Sequence, residues 1–491
     1  MLRPSRRAGA EFRSRAEHAL NTPLVVSLSV YFVAMIGVGV WAGRRVENEA
    51  DYLVAGRRLP LWLAWGTLLA TWFGAATVMG ASEAARDEGV PGTILDPFAS
   101  GTALIVAGLF FARPLWEMQL LTMGDFFREK YGRRTELFSS TVQAIGYLPW
   151  IAAQYLALAA VAGQYFGVPF AWGVIGAAAF VLFLTMIGGM WSVTLTDTAQ
   201  ILLVLISLVV LGGTMLSHVG GVDRVWAATP PDHRTLLPQA GTAAVLIWAA
   251  TWANGIFGNL PGQDLMQRVF ASRSAVTAQR ACVLAGVVYV TFGLLPVGLG
   301  LASRIVLPEE ESPGILLKMA DAFLSTPLQC VFVVALTAII VSTCTSALLS
   351  PSALIAHNML ERSPVFASRR LFTNRLSTAA VTLCTLPFAF GGQSILDLLD
   401  VAIEVGLVAL FVPFAAGLYG RPRSDTAGLC SISAGLVVWL GHRVAIAALP
   451  AGNAFETIPP ELTGTAASLA RYLAAQQFSR PDKQPQTPPD S

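Results

Sequence analysis

Three oxygens on one face of an apolar helix are the chemistry this chain offers most plainly. In ALTAIIVSTCTSALLSPSALIAHNML (335–360), Ser342 and Thr343 follow Ile339 by three and four residues. On a helix that spacing puts their hydroxyls on the face of the Ile339 carbonyl. Neutral hydroxyl and carbonyl oxygens suit a small alkali cation that must bind and then leave. The competing use of such hydroxyls is bonding back to carbonyls of their own helix. Asp197, with Thr194, Thr196 and Thr198 around it, stands just inside the start of another apolar run. A carboxylate there needs a partner, water or a cation, unless it merely caps a helix N-terminus near the interface.

These groups need helices that can open their backbone. LPLWLAWGTLLATWFGAATVMG (59–80) is long enough to cross a bilayer, yet carries Gly66, Gly74, Thr67, Thr71 and Thr77. Such a helix can bend and expose carbonyls to a ligand, or it can use its small residues for close helix packing. In AATWANGIFGNLPGQDLMQRVF (249–270), Asn254, Gly255, Gly258, Asn259, Pro261 and Gly262 interrupt a second apolar run. Two interrupted spans in corresponding halves point to a binding site near the bilayer midplane. Trp65, Trp72, Phe73, Trp150, Tyr155, Trp191, Trp248 and Trp252 lie near these regions and can offer a cation their ring faces, although tryptophans also serve as interfacial belts.

Composition sets the class. Hydrophobic residues make up 54% of the 491 and charged residues 13%, with a mean hydropathy of +0.61, against about a quarter charged in ordinary globular proteins. The chain reads as an all-α polytopic membrane protein. Twelve spans are expected, at roughly 22–42, 60–80, 94–112, 138–162, 168–188, 194–217, 241–260, 279–302, 324–349, 374–391, 397–419 and 427–449. Residues 1–21 form a basic tail and 22–42 an extra first helix. Two five-span repeats (60–217 and 241–420), an extra last helix (427–449) and a C-terminal tail (450–491) follow. The tail holds a short helical run, 465–478, suited to the interface, before a Pro-rich end.

Arginines and lysines gather in the loops after odd-numbered spans, among them Arg44, Arg45, Arg57, Arg58, Arg128, Lys130, Arg268, Arg273, Arg362, Arg421 and Arg423. The positive-inside rule places those loops in the cytoplasm and both termini outside, with the basic N-terminal tail as the one discordant segment. No basic face suggests nucleic acid. Cys282, Cys330, Cys344, Cys384 and Cys430 fall in or beside apolar runs without metal-like spacing and read as small buried hydrophobes. The five histidines are scattered, and no Walker, GxSxG or HExxH pattern supports a pump or a hydrolase.

Six ordered stretches resemble the sodium:solute symporter family: ADYLVAGRRLP (50–60), LLATWFGAATVMGASEA (68–84), FFARPL through TMGDFFREKYGRR (110–134), GGMWSVTLTDTAQ (188–200), PGQDLMQRVFASRSAVTAQR (261–280) and STCTSALLSPSALIAHNM (342–359). Within the family the first three are most similar to the choline and proline transporter branch. The resemblance implies a LeuT-like core of inverted five-helix repeats with a flanking helix at each end. It also implies Na⁺-coupled import of a small polar solute through a cell (inner or plasma) membrane, with no enzymatic step. It carries the sodium site onto Ala70, Phe73, Ile339, Ser342 and Thr343, and matches Trp72 and Trp150 to aromatic positions of the choline branch. With Asn254 and Gly255 of the broken seventh span they are expected to border the solute. A choline-, betaine-, amino-acid- or carboxylate-like solute fits that reading, as do two alternatives, a transporter-like sensor and a proton-coupled or uncoupled carrier. Where many members have an aspartate in the eighth core helix this chain has Thr345, so a second cation or gating role falls to Asp197 with Thr345. The aromatic that the choline branch places in the seventh span is Gly262 here. A bend is expected at the level of Ala70 and Phe73.

Overall fold

The computed structural model describes residues 22–43, 49–238, 241–360, 366, 369–392, 394–420, 424–450 and 453–478. The basic tail, Arg44, Arg45, Arg362, Arg421, Arg423 and residues 479–491 lie outside the described residues. The described chain is helical apart from one isolated bridge between Leu59 and Ser272. Lipid offers the backbone no partners, so apolar runs must satisfy their own amides and carbonyls.

The elements used below are α1 (Thr22–Gly43) and the broken pair α2 (Leu61–Trp72) and α3 (Ala81–Asp87). Next come α4 (Pro91–Glu117), the short α5 (Met123–Lys130), α6 (Arg133–Phe166), α7 (Phe170–Ile187) and α8 (Gly189–Val219). The second half holds α9 (Thr242–Ala253), α10 (Gln263–Ala271), α11 (Ala275–Val306), α12 (Ile315–Phe323) and α13 (Thr326–Ala353). It closes with α14 (Arg370–Ala389), α15 (Ile395–Val405), α16 (Val412–Tyr419), α17 (Asp425–Ala448) and α18 (Pro460–Phe478).

Among the described residues nine helices are long and apolar enough to cross a membrane, and the α2–α3 pair adds a tenth, bent by 59°. Expected spans ten and eleven are α14, which is helical but less apolar, and the α15–α16 pair, an apolar run made of helices of 11 and 8 residues. The span beginning at Thr326 is 89% buried over its most apolar window and α1 only 17%, so the former is central and the latter faces lipid.

Three expectations change. The run at 465–478 belongs to α18, whose 19 residues reach about 28 Å and lie antiparallel along α17. Ser431 meets Ser468 (2.9 Å) near one end of the pair and His442 meets Thr463 (2.8 Å) toward the other. A Cβ on Gly464 would come within 2.9 Å of Trp439, so the two backbones approach closely. The helix packs in the bundle as a thirteenth long element instead of resting at the interface. Arg268, read as a loop charge, is wholly buried in α10. Of the cysteines, all free, Cys384 is exposed and Cys430 partly so, because both lie on outward faces of their helices.

Loop polarity is visible in the contacts. On one side Arg57 donates to the Gln119 and Leu120 carbonyls, Thr122 to Asn358, and Thr135 to Asp425. These residues border odd-numbered loops. On the other side Arg86 holds the carbonyls of Leu307, Pro308 and Glu310, and Arg304 meets His233, so even-numbered loops gather there.

Candidate cation and solute sites

The bend in the second span falls at Phe73 (φ −74°, ψ 59°), directly after α2. There the Gly74 amide turns to the Trp72 carbonyl (2.7 Å), which takes from the Ala70 carbonyl its normal helical donor. Thr343 of α13 supplies one instead, its hydroxyl donating to the Ala70 oxygen at 2.9 Å. Gly74 makes the approach possible, since a Cβ there would stand 2.6 Å from Thr343 Oγ1.

One turn earlier, Thr67 donates to one oxygen of Asp197 (2.6 Å) and Ser342 donates to the other. A Cβ at Gly66 would come within 2.5 Å of Thr198 Oγ1, so α2 and α8 are also in close contact. Ala70, Phe73, Ile339, Ser342, Thr343 and Asp197 are all buried. The structure therefore brings the hydroxyls of Ser342 and Thr343 onto α2 and α8. Thr345 bonds back to the Ser342 carbonyl (2.9 Å) within its own helix. Among the described residues no cluster of three or more His, Cys, Asp or Glu side chains is arranged for a metal. Hydroxyls and opened carbonyls are the donor set here, and they fit an alkali ion better than a transition metal.

Beside the bend lies a cavity with about 730 Å³ of atom-free space, counting its open mouth. Trp72 and Trp150 line it as expected, together with Asp96, Tyr147, Asp264 and Tyr289. Asp264 accepts from the Trp72 indole and from the Tyr147 hydroxyl. The Tyr289 hydroxyl lies within reach of both Asp96 oxygens (2.9 and 3.1 Å), the Trp72 carbonyl (3.0 Å) and the Thr77 hydroxyl (2.5 Å). Backbone freed at the bend is thus tied to a carboxylate of the cavity. Gln154 braces the same break by accepting from the Ala75 amide at 3.1 Å.

Asn254 and Gly255 do not line the cavity. The Asn254 amide donates to Asp400 (2.6 Å), and Gly255 is pressed against Ala99, with room for no Cβ. The cavity wall comes instead from Gly258 to Asp264, the later part of the same interruption. Sequence reasoning missed Asp96, Asp264, Tyr147 and Tyr289. An acid inside an apolar span, as in ILDPFAS, was the available signal for Asp96.

The sodium:solute symporter family profile matches residues 52–387, more than half of the chain. The chain belongs to the sodium:solute symporter family. This symporter is 26% identical to the high-affinity choline transporter 1 of Caenorhabditis elegans over 87% of its own length and 79% of the worm protein's. It is 25% identical to the sodium/glucose cotransporter of Vibrio parahaemolyticus over 63% of its length and 59% of that protein's. Among solved structures, a Na⁺-coupled sialic acid symporter superposes with a TM-score of 0.77 at 17% identity, covering 95% of this chain and 99% of the other. The symporter has the inverted-repeat fold of such transporters. It is a multi-pass plasma-membrane protein that couples Na⁺ to the movement of a small polar organic solute by alternating access.

Proposed function

We propose that the solute is a small organic cation, held in the cavity beside the bend while Na⁺ occupies the oxygens of Ala70, Phe73, Ile339, Ser342 and Thr343. The observation that carries this reading is the charge of the cavity wall: Asp96 and Asp264 line it, and no Lys, Arg or His does among the described residues. Asp264 has the buried Arg268 one turn along α10, which donates to its backbone carbonyl, but Asp96 has only neutral donors. A buried carboxylate so placed is costly, and a cationic solute removes that cost. Trp72, Tyr147, Trp150 and Tyr289 surround the same space, and aromatic faces attract cations. A carboxylate-bearing solute would meet two like charges. The worm relative is named for choline, a quaternary cation, and the reading agrees with it.

Coupling follows from where the ion would sit. Ser342 and Thr343 belong to α13, whereas Ala70 and Phe73 belong to the bend, so an ion holding all of them ties α13 to α2. Binding then favours the conformation in which those oxygens converge, and only such differential affinity can shift the equilibrium between states. Asp197 supports the ion by accepting a hydrogen bond from the Ser342 hydroxyl, which leaves the lone pairs of that oxygen for the ion. Arg268 of α10, wholly buried, already supplies a positive charge to Asp197.

The test is Na⁺-driven uptake of radiolabelled choline into proteoliposomes, challenged with tetramethylammonium, glucose and lactate. Inhibition by tetramethylammonium alone is expected. Inhibition by lactate or glucose, with none by tetramethylammonium, refutes the cationic assignment.

A further inference from the structure

Gln143 stands out among the polar residues of the cavity. It lies on α6, is 3% exposed, and neither its Nε2 nor its Oε1 has a hydrogen-bond partner. The other carboxylates, amides and hydroxyls of the wall are engaged. Asp264 holds Trp72 and Tyr147, Asp96 holds Tyr289, Asn259 donates to the Gly255 carbonyl, and Ser100 to that of Leu95. Gln154, on the same helix, is committed to the Ala75 amide and the Trp150 carbonyl. A primary amide left with both atoms unpaired in a buried wall is rare, and it marks where a missing partner belongs.

Its position gives the reach of that partner. Gln143 precedes Tyr147 by one helical turn, a rise of about 6 Å, on the face of α6 that also carries Trp150. A solute whose charge rests near Asp264 and the aromatic rings therefore brings a group two or three bonds away to the amide. The amide offers an N–H and a C=O side by side. A hydroxyl, which donates and accepts, satisfies both. An ether or carbonyl oxygen leaves Oε1 unpaired, and a carboxylate sets a third negative charge beside Asp96 and Asp264.

We propose that Gln143 reads a hydroxyl on the solute, so that the cavity takes hydroxyl-bearing organic cations ahead of cations that lack the hydroxyl or carry a carboxylate in its place. This rests on the organic-cation reading above.

The experiment measures binding of choline, propyltrimethylammonium and glycine betaine to the purified full-length protein in NaCl by isothermal titration. Propyltrimethylammonium replaces the choline hydroxyl with a methyl group, and betaine replaces the alcohol carbon with a carboxylate. In the wild type choline binds about tenfold tighter than propyltrimethylammonium, the order of one hydrogen bond, and betaine binds weakest. In Gln143→Met the choline to propyltrimethylammonium ratio falls to about one. Gln143→Glu, which keeps an oxygen acceptor for the hydroxyl, retains a ratio above one. Heat of binding for propyltrimethylammonium shows that each variant is folded. An unchanged ratio in Gln143→Met, or a proportional loss of both cations as a purely structural residue would give, overturns the assignment. Equal binding of choline and propyltrimethylammonium by the wild type also overturns it while leaving the cationic reading intact. Binding of neither cation removes both.

Discussion

The cation region and the solute cavity meet at the bend after α2, but their polar groups are arranged in opposite ways. Around Ala70 every named hydroxyl is committed: Thr343 to the Ala70 carbonyl, Ser342 and Thr67 to Asp197, and Thr71 to the Thr67 carbonyl. Glycines at 66 and 74 press α2 against its neighbours, leaving no slack. In the cavity two carboxylates have only neutral donors, and Gln143 has none. A small ion is selected by oxygens already held at fixed separations, which requires tight packing. A solute is selected by what the wall lacks, which requires polar groups kept short of partners.

The comparison can be broken most severely at the ion. Replacing Ser342→Ala together with Thr343→Ala removes two oxygens, and Na⁺ affinity is expected to fall roughly a hundredfold, at about tenfold for each 1.4 kcal/mol lost. The measurement is the Na⁺ concentration giving half-maximal uptake; an unchanged value removes both hydroxyls from the ion site. Asp96→Asn addresses the other side. It should weaken a cationic solute on the order of thirtyfold, as loss of one partner of a desolvated charge pair does, while half-saturation by Na⁺ moves far less. Equal damage to ion and solute would mean that the two regions are one site.

Gly74→Ala sharpens the contrast in packing. The added methyl meets Thr343, and overpacking of this kind costs about 1–3 kcal/mol. Thermal unfolding with and without NaCl should show a lower midpoint and a smaller gain from the salt. A full gain would mean that the close approach of α2 and α13 is unrelated to the ion.

The smallest effect concerns the end of the chain segment carrying Ser342 and Thr343 that packs with the odd-numbered loops. His357 and Asn358, just past α13, hold Asp125 of α5 at 3.2 and 3.1 Å, and Asn358 also donates to Glu136 (3.0 Å). Burial pushes the Asp125 carboxyl up, but the His357 contacts and the Thr122 and Leu121 amides outweigh it and hold it below the usual carboxylate range. A group lowered in the folded state adds stability above its unfolded pKa, near 4, and that share is lost as pH falls through the folded value. Unfolding followed from pH 7 to below 4 should therefore show an acid-dependent loss of up to about 1 kcal/mol that Asp125→Asn lacks. Identical acid profiles would detach this latch from stability.

How much could be read from the sequence follows the same division. Ser342, Thr343 and Ile339 are local neighbours on one helix, and Gly74 beside Phe73 announces a bend, so that helix face and the bend were legible from spacing. The cavity was not, because Asp96, Tyr147, Asp264 and Tyr289 come from four segments and nothing in their spacing joins them. Of the four residues expected at the solute site, Trp72 and Trp150 line this cavity, whereas the wall near Asn254 and Gly255 comes from the later part of the same interruption. Arg268 was counted as a loop charge because a run of polar residues beside Pro261 looks like the end of a span; its burial depends on α10 packing inward. α18 was underrated because Glu461 and Arg471 lower its hydropathy, whereas its place in the bundle comes from small residues facing α17.

Trp72 ties these regions together in a way that can be seen optically. Its residue number lies between the two α2 carbonyls assigned to the ion, and its indole N–H is bonded to Asp264 in the cavity wall. Indole emission responds to the polarity and hydrogen bonding of that N–H. The protein therefore contains its own fluorophore at the junction of the two ligands, and the difference in emission between the wild type and Trp72→Phe isolates its signal from the other eleven tryptophans. Titrating Na⁺ and then an organic cation would give two separable spectral changes from one side chain, without any added label.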